Sequence, residues 1–256
     1  MNRMKQFTCD KLTVKIDSTR AEMGITAAND IRDCILRLLG EKAEINMIFA
    51  AAPSQNDVLE ALIGYTDIDW SRINAYHMDE YIGLSGESLA QSFGKYLNDH
   101  IFGRVPFKSV NLIDCEASDP ETECDRYAKL LSENPTDIVV MGIGENGHIA
   151  FNDPWVADFN DPKAVKPVKL DEMCRQQQVN DGCFKSIDLV PTHAITLTCP
   201  TLVSAPYLFC IVPASTKANA VKRTLTGDIN DDCPATLLRR QPNAVLYLDG
   251  DSSALL

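Results

Sequence analysis

The sequence of 256 residues predicts a single-domain α/β fold over residues 1–256, with a mostly parallel sheet. Short apolar runs that suit buried strands alternate with stretches whose apolar residues recur every three or four positions, as in amphipathic helices. Several of these strands end in polar or glycine-rich segments, and open α/β sheets place their chemistry at such strand ends. No repeat or linker indicates a second domain.

The first half of the chain alternates strands and helices in this way. Strands are predicted at residues 12–16, 45–51, 72–78 and, more weakly, 109–113. Helices are predicted from a cap at Asp17 or Ser18 to about Leu39, and at residues 56–63, 88–100 and 121–131. Each strand therefore has a helix to cover it.

The second half continues the alternation, which a loop-like stretch from Pro154 to about Pro167 interrupts. Strands are predicted at residues 138–141, 194–198, 208–212 and 244–248. Helices are predicted at residues 170–178 and 234–239, and at 215–225 with Ser215 as the N-cap. We expect the strands to share one largely parallel sheet.

The charge balance limits the partners of this protein. The formal net charge is −12 and the isoelectric point about 4.7. Non-specific nucleic-acid binding and docking on anionic lipid both need a basic surface, so we expect neither partner. A small anionic substrate is compatible with an acidic protein if a few local cations bind it.

The nine cysteines indicate a reducing compartment. Their number is odd and they are widely spaced without a CxxC pair, which favours free thiols over disulfides or a zinc site. The first 15 residues lack the apolar core of a signal peptide, and no apolar run is long enough to span a bilayer. We expect a cytoplasmic protein.

Residues 137–154, DIVVMGIGENGHIAFNDP, carry the strongest chemical signal. An apolar strand ends at Gly142 and Gly144, and His148 follows. A histidine beside the amide of Asn146 and the carboxylate of Asp153 can shuttle protons near neutral pH. The glycines favour this interpretation over the alternative of a turn histidine that only makes hydrogen bonds with the backbone.

Two further strand ends carry polar residues. Asp79 and Glu80 follow the strand at 72–78 and alternate in direction if the chain is extended, so that one carboxylate could face a cleft as a general base. Taken alone, this stretch is better explained by two solvated acids that cap a turn. Lys217 lies at the start of a helix, where its ammonium and free N–H groups could bind phosphate, although a solvated lysine is an equal alternative.

Other catalytic motifs are missing. The sequence contains no GxSxG nucleophile motif and no Walker A motif. The segment GIGENG matches GxGxxG literally, but it comes late in the chain and a histidine follows the third glycine, where a nucleotide-binding helix would begin. The residues therefore favour proton transfer on a small anionic substrate.

Two segments, GIGENGHIAFNDP and NAYHMDEYIGL, resemble the glucosamine-6-phosphate deaminase/isomerase family, which shares a superfamily with the 6-phosphogluconolactonases. The resemblance implies a Rossmann-like domain with helices on both faces of the sheet. It implies an enzyme that opens the ring of an amino-sugar 6-phosphate, moves a proton from C2 to C1 through an enolamine and releases ammonia and fructose 6-phosphate. It also implies that no metal or organic cofactor is needed.

The resemblance assigns roles by motif position. Asp79 corresponds to the base that removes the C2 proton, His148 to the ring-opening histidine and Asp153 to the acid that assists it, with Asn146 as a further partner. Lys217 corresponds to a phosphate-binding lysine. Substrate contacts are further expected from four positions: Ser54, Gln55, Gly144 and Gly147.

The chain departs from the family pattern at three places. A TGGTP-like phosphate loop is replaced by residues 50–55, AAAPSQ, which lack the glycines that let phosphate approach the backbone. Asn146 stands where aspartate is common, and Asp153 where glutamate is commoner. The phosphate-binding arginine has no clean counterpart, and Arg175 is the best candidate.

The sequence thus supports an amino-sugar phosphate deaminase/isomerase first. A 6-phosphogluconolactonase-type hydrolase is less favoured, since that branch usually has DGHxxSLFP in place of NGHIAFNDP. A sugar-phosphate-binding protein without catalysis is a third hypothesis, raised by the altered loop. The exact sugar and a homo-oligomeric state are left open.

Overall fold

The computed structural model describes residues 5–256, which form eleven strands in two sheets. The strands are β1 Lys5–Cys9, β2 Leu12–Ile16, β3 Ile45–Phe49, β4 Ile73–His77, β5 Asp79–Tyr81, β6 Ser109–Asn111, β7 Ile138–Met141, β8 Val165–Lys169, β9 His193–Leu197, β10 Tyr207–Val212 and β11 Ala244–Leu248.

The larger sheet has eight strands in the order β1-β2-β11-β10-β7-β3-β4-β6. Every neighbouring pair is parallel except β1 and β2, which form an antiparallel hairpin at one edge. The prediction of a mostly parallel sheet is confirmed. Strand β7 lies between β10 and β3, so the segments that follow these three strands meet at one edge.

Seven α-helices accompany the strands within residues 5–256. They are α1 Arg20–Glu41, α2 Asn56–Ile63, α3 Phe93–Leu97, α4 Pro120–Glu133, α5 Glu172–Asn180, α6 Cys199–Val203 and α7 Ala218–Thr226. Helices α1 and α2 belong to one buried cluster, and α4, α6 and α7 to a second. Neighbouring residues of β7 alternate between these clusters, as Val139 and Val140 do, which places helices on both faces of the sheet.

Helix α1 shows how the apolar pattern determines a helix. Residues Ile31, Ile35 and Leu38 follow the predicted three- and four-residue spacing and are buried. The side chain of Thr19 accepts a hydrogen bond from the N–H of Glu22. The N-cap is thus Thr19, directly after the two expected candidates Asp17 and Ser18, because its hydroxyl lies over the first free N–H groups of the helix.

A second sheet of three antiparallel strands, β5-β9-β8, was not predicted. The expectation that residues 194–198 belong to the parallel sheet is wrong, since β9 pairs with β5 and β8 instead. Strand β8 also lies where a loop was expected. Alternating burial identifies a strand but not its partner, which depends on contacts distant in sequence.

Three predicted helices differ in the structure, and the one expected at 234–239 is a 3₁₀ helix, Pro234–Arg240. Residues 88–100 divide into a 3₁₀ turn at Gly86–Gln91, helix α3 and a π turn at Asn98–Phe102. The segment after β10 begins with a 3₁₀ turn at Ser215–Lys217, and its N-cap is Ala214 rather than Ser215. Ala214 has φ of 81°, and no side chain caps this turn by a hydrogen bond.

Within residues 5–256 the structure contains no helix that is long and apolar enough to cross a membrane.

Candidate active site

A cleft of about 120 Å³ opens at the carboxyl ends of β3, β7 and β10. A water molecule needs about 10–15 Å³ by this measure, so the cleft can accept a small polar ligand. Six of the predicted site residues line it: Ser54, Gln55, Asp79, Gly144, His148 and Lys217. These residues come from four distant segments that parallel strands and the second sheet bring together.

His148 lies on the tight loop that follows β7. Its ring packs directly on Gly144, where a Cβ would be only 2.0 Å from Cε1 of the imidazole. Gly147 has φ of 92°, and a Cβ there would meet the Sγ of Cys233 at 2.6 Å. Gly147 therefore shapes the loop and does not line the cleft, in contrast to the substrate contact predicted for it.

The hydrogen bonds of His148 determine its tautomer. The backbone N–H of His148 donates to Oδ1 of Asn146 at 3.0 Å, which orients the amide oxygen towards the ring. The same oxygen lies 2.8 Å from Nδ1 of His148, so Nδ1 carries a proton. The neutral ring then presents Nε2 with a free lone pair, which is what a general base needs.

Asp153 lies behind this pair. Nδ2 of Asn146 donates to Oδ1 of Asp153 at 2.8 Å, and the same oxygen is 3.2 Å from Nδ1 of His148. Burial alone would raise the pKa of Asp153, but hydrogen bonds with His148 and Asn146 hold it below its usual range. An ionised Asp153 stabilises positive charge on the imidazole when His148 takes up a proton.

Asp79 lies on β5, which pairs with β9, and its side chain faces the cleft. Burial, together with the neighbouring charge of Glu80, raises the pKa of Asp79 well above its ordinary value. A carboxylate with a raised pKa is a stronger base than a solvated one. Asp79 is only 7 % exposed, so its oxygens are available mainly to a bound ligand.

Glu80 points the other way, as the alternation along an extended chain predicts. Its carboxylate accepts hydrogen bonds from the N–H groups of Phe93 and Gly94, at 3.0 and 2.8 Å. Burial raises the pKa of Glu80 to about 7, although these N–H groups and that of Tyr81 lower it. Glu80 thus attaches β5 to the start of α3 and holds Asp79 in place.

Lys217 is the third group of chemical interest. Ala214, at the sharp turn before it, donates its N–H to the carboxylate of Asp249, and this bond orients the segment. Lys217 is 6 % exposed, and burial lowers its pKa, while the charges of Asp181 and Glu145 oppose that effect. Among residues 5–256 its ammonium group has no ion pair, which favours an anionic ligand.

The loop after β3 contributes side chains to the cleft rather than glycine N–H groups. Nε2 of Gln55 donates to Oγ of Ser54 at 3.0 Å and to the carbonyl of Ile211 at 3.2 Å. Gln55 is fully buried, and its Oε1 has no hydrogen-bond partner among the described residues. A ligand hydroxyl or a water molecule would satisfy this oxygen.

Arg175 does not reach the cleft, contrary to the prediction. Its guanidinium donates to the carbonyls of Ile187 and Val190, at 2.7 and 2.9 Å. Helix α5 instead places Gln177 and Gln178 on the cleft wall. The rotation of a helix about its axis depends on its tertiary packing, which is why a local motif did not exclude Arg175.

Arg20 also lines the cleft, and the sequence analysis did not single it out. It begins α1 directly after β2, a strand parallel to the centre of the sheet. A signal was available, because the carboxyl ends of parallel strands meet at one edge.

Three side chains are close enough to share a cation. Donor atoms of His148, Asp153 and Cys174 all lie within 4.8 Å of one another. Burial raises the pKa of the Cys174 thiol well above its usual range, so the thiol holds its proton and is a weak ligand. The cluster is better explained as the surroundings of the histidine.

The fold and the cleft define an α/β enzyme with an acid–base site at the carboxyl edge of its sheet. The sequence model of the glucosamine-6-phosphate isomerases/6-phosphogluconolactonase family matches residues 18–169, more than half of the chain. The chain belongs to this family.

Two curated relatives agree with this membership. A glucosamine-6-phosphate deaminase of Bacillus cereus strain B4264 is 38% identical over 188 residues, which cover 73% of this chain and 70% of the relative. A glucosamine-6-phosphate deaminase of Listeria monocytogenes is 35% identical over 213 residues, or 83% of this chain and 88% of the relative.

Solved structures show the same fold. A monomeric glucosamine-6-phosphate deaminase superposes with a TM-score of 0.85 at 30% identity, covering 95% of this chain and 99% of that one. A 6-phosphogluconolactonase from Thermotoga maritima superposes with a TM-score of 0.74 at 21% identity, covering 93% and 99%. The second likeness shows the fold alone.

Proposed function

We propose that this enzyme converts glucosamine 6-phosphate and water into fructose 6-phosphate and ammonia. One observation carries the proposal: a buried carboxylate, Asp79, and a histidine, His148, line the same cleft as the unpaired ammonium of Lys217. Proton transfer at a carbon next to an amine and binding of a phosphate require these groups. The curated relatives are deaminases of this substrate.

His148 performs the first step in this proposal. Nε2 accepts the proton of the C1 hydroxyl and returns a proton to the ring oxygen as the C1–O5 bond breaks. Asp153 and Asn146 hold Nδ1 and stabilise the transient imidazolium. The product is the open-chain aldehyde with its amine on C2.

Asp79 performs the second step. It removes the proton from C2, which the adjacent aldehyde makes acidic, and an enolamine forms. Return of the proton to C1 leaves an imine at C2. Water adds to this imine and ammonia leaves, so that fructose 6-phosphate remains. The raised pKa of Asp79 suits a base that must take a proton from carbon.

Lys217, Ser54 and Gln55 bind the substrate in this proposal. The burial of the Lys217 ammonium in the cleft supports a contact with the phosphate. Oε1 of Gln55, which has no hydrogen-bond partner among residues 5–256, can accept a hydroxyl hydrogen. Gly144 contributes by letting His148 approach.

The test is turnover of the purified protein with glucosamine 6-phosphate, with ammonia and fructose 6-phosphate measured in equal amounts. Hydrolysis of 6-phosphogluconolactone, followed as acid release in a pH-stat, tests the alternative raised by the sequence. Thermal stabilisation by sugar phosphates without turnover would indicate the binding-protein alternative. Absence of ammonia release from any hexosamine 6-phosphate would contradict the proposal.

The cellular setting is part of the proposal. The nine free thiols support a cytoplasmic location.

The domain organisation and the oligomeric state belong to the proposal as well. The pairing of β2, near the start of the chain, with β11, near its end, supports a single domain. The homo-oligomeric state is still a prediction, which light scattering at micromolar concentration tests.

A further inference from the structure

Arg20 lies at the entrance of the cleft beside the loop that lacks glycines. It is the first residue of α1, and its side chain is 39 % exposed. It shares the cleft wall with Ser54 and Lys217. Arg20 lies within residues 18–169, which match the family model.

The guanidinium is held in place rather than free in solvent. Its Nε donates to Oδ2 of Asp57 at 2.6 Å, and Nη2 donates to the carbonyl of Pro53. Pro53 belongs to the loop that replaces the glycine-rich phosphate loop of the family. The arginine is therefore attached to the segment whose expected phosphate contacts are missing.

Close packing of α1 on α2 makes this attachment possible. Gly24 lies one helical turn after Arg20, and a Cβ at Gly24 would be 2.6 Å from the Cβ of Asp57. Any larger residue at Gly24 would push Asp57 away. Gly24 therefore lets Asp57 come close to α1, and Arg20 binds the carboxylate that lies there.

The guanidinium retains donors for a ligand. Arginine has five N–H donors in a planar fork, and the two bonds above use two of them. Nη1 donates no hydrogen bond to any of residues 5–256. Asp57 reduces the net charge of the group, but it leaves the Nη1 edge available for an oxyanion.

A sugar phosphate brings about 1.5 to 2 negative charges at neutral pH, judged from other phosphate monoesters. One buried ammonium, Lys217, compensates about half of this charge. Glycine N–H groups add to this compensation in a glycine loop, and residues 50–55 contain no glycine. A second cation would compensate the remaining charge, and Arg175 points elsewhere.

We propose that Arg20, held by Asp57 and Pro53, binds the phosphate of the substrate together with Lys217 and replaces the missing glycine loop. This inference rests on the proposed function for the identity of the substrate, although not for the presence of a phosphate site.

The test uses inorganic phosphate as the probe, so that it does not depend on turnover. Calorimetric titration at low ionic strength compares the unaltered protein with Arg20→Gln and Arg32→Gln. Arg32 is the matched control, because it lies on the same helix and pairs with Asp67 away from the cleft. Both variants remove one positive charge. Arg20→Gln removes the ion pair with Asp57, and Arg32→Gln removes those with Asp67 and Asp33.

We expect Arg20→Gln to weaken phosphate binding about ten- to hundredfold, which is the range for loss of a hydrogen bond to a charged group. Arg32→Gln should bind phosphate like the original protein. With glucosamine 6-phosphate, Arg20→Gln should raise KM by a similar factor and change kcat little. Equal phosphate affinity in the two variants, or no phosphate binding by the original protein, overturns the inference.

Further variants keep the test decisive. If Arg20→Gln does not fold, Arg20→Lys retains the charge but loses the fork, and a smaller loss of affinity is expected. Affinity unchanged in Arg20→Lys and in Asp57→Asn, which releases the guanidinium, also overturns the inference. Phosphate binding that depends on Arg20 without deamination would leave this inference intact and overturn the proposed function.

Discussion

The imidazole of His148 lies against Gly144 so closely that a Cβ on the glycine would be 2.0 Å from Cε1 and 2.2 Å from Nε2. Real Cβ atoms do not approach other atoms to this distance, so the ring could not stay where it is. The glycine at the end of β7 thus determines the position of the histidine.

Gly144→Ala is therefore expected to lower kcat about a hundredfold or more, since an ångström of displacement can cost this much. Gly40→Ala is the control, because a Cβ at Gly40 in helix α1 meets nothing within 4 Å. That control should be active and about 0.5–1 kcal/mol more stable. Measured kcat values within threefold of each other for the two variants would contradict the packing argument.

Asp79→Asn should reduce ammonia and fructose 6-phosphate formation together, by about 10²- to 10⁴-fold, which is the range for a general base. Asparagine has nearly the same shape, so folding and phosphate binding should be unchanged. Loss of activity accompanied by loss of phosphate affinity would mean that the variant disturbs the cleft rather than the proton transfer.

The raised pKa of Asp79 predicts the acid side of the rate profile. The base acts only when ionised, so kcat/KM should fall as the pH falls through this pKa, well above the ordinary value of 3.8. Inorganic phosphate binding over the same range gives the contribution of phosphate titration. A rate that stays constant down to pH 4 would show that Asp79 is not held in its buried environment.

Two substitutions at Asn146 test the role of its amide oxygen, because aspartate keeps an acceptor at this position and leucine does not. Asn146→Leu removes the nearer acceptor of Nδ1 of His148 together with the amide that orients Asp153, and should lower kcat about a hundredfold through loss of the oriented imidazole. Asn146→Asp keeps an acceptor and should retain activity within about tenfold, although it places a second carboxylate beside Asp153. Steady-state kinetics at pH 7 measures both. Equal losses in the two variants would argue against orientation of the imidazole by this acceptor.

Lys217→Met should weaken phosphate binding and stabilise the folded protein. A buried ammonium without an ion pair opposes folding, and its replacement by an apolar side chain should raise the free energy of unfolding by about 1–2 kcal/mol. The same change should weaken phosphate binding at least tenfold. Urea unfolding without ligand and phosphate titration measure the two effects. A variant that is less stable without ligand would show that the ammonium has a structural partner.

Sequence patterns were sufficient for the elements that carry local information. The bounds of α2 and β11 agree with the prediction to the residue. The same is true of the chemical residues at strand ends, since His148 and Asp79 line one cleft as expected. The spacing of apolar residues is a local property, and the carboxyl ends of parallel strands meet at one edge of the sheet. Both can be deduced from a single sequence.

The tertiary structure decided which side chains meet. It paired β9 with β5, turned Arg175 away from the cleft and brought Arg20 to the loop at Pro53. Strand partners and helix rotation follow from packing among segments far apart in sequence, and no local pattern records these contacts. The chemical groups of this protein were therefore visible in its sequence, whereas the arrangement of the cations that line its cleft was visible only in the fold.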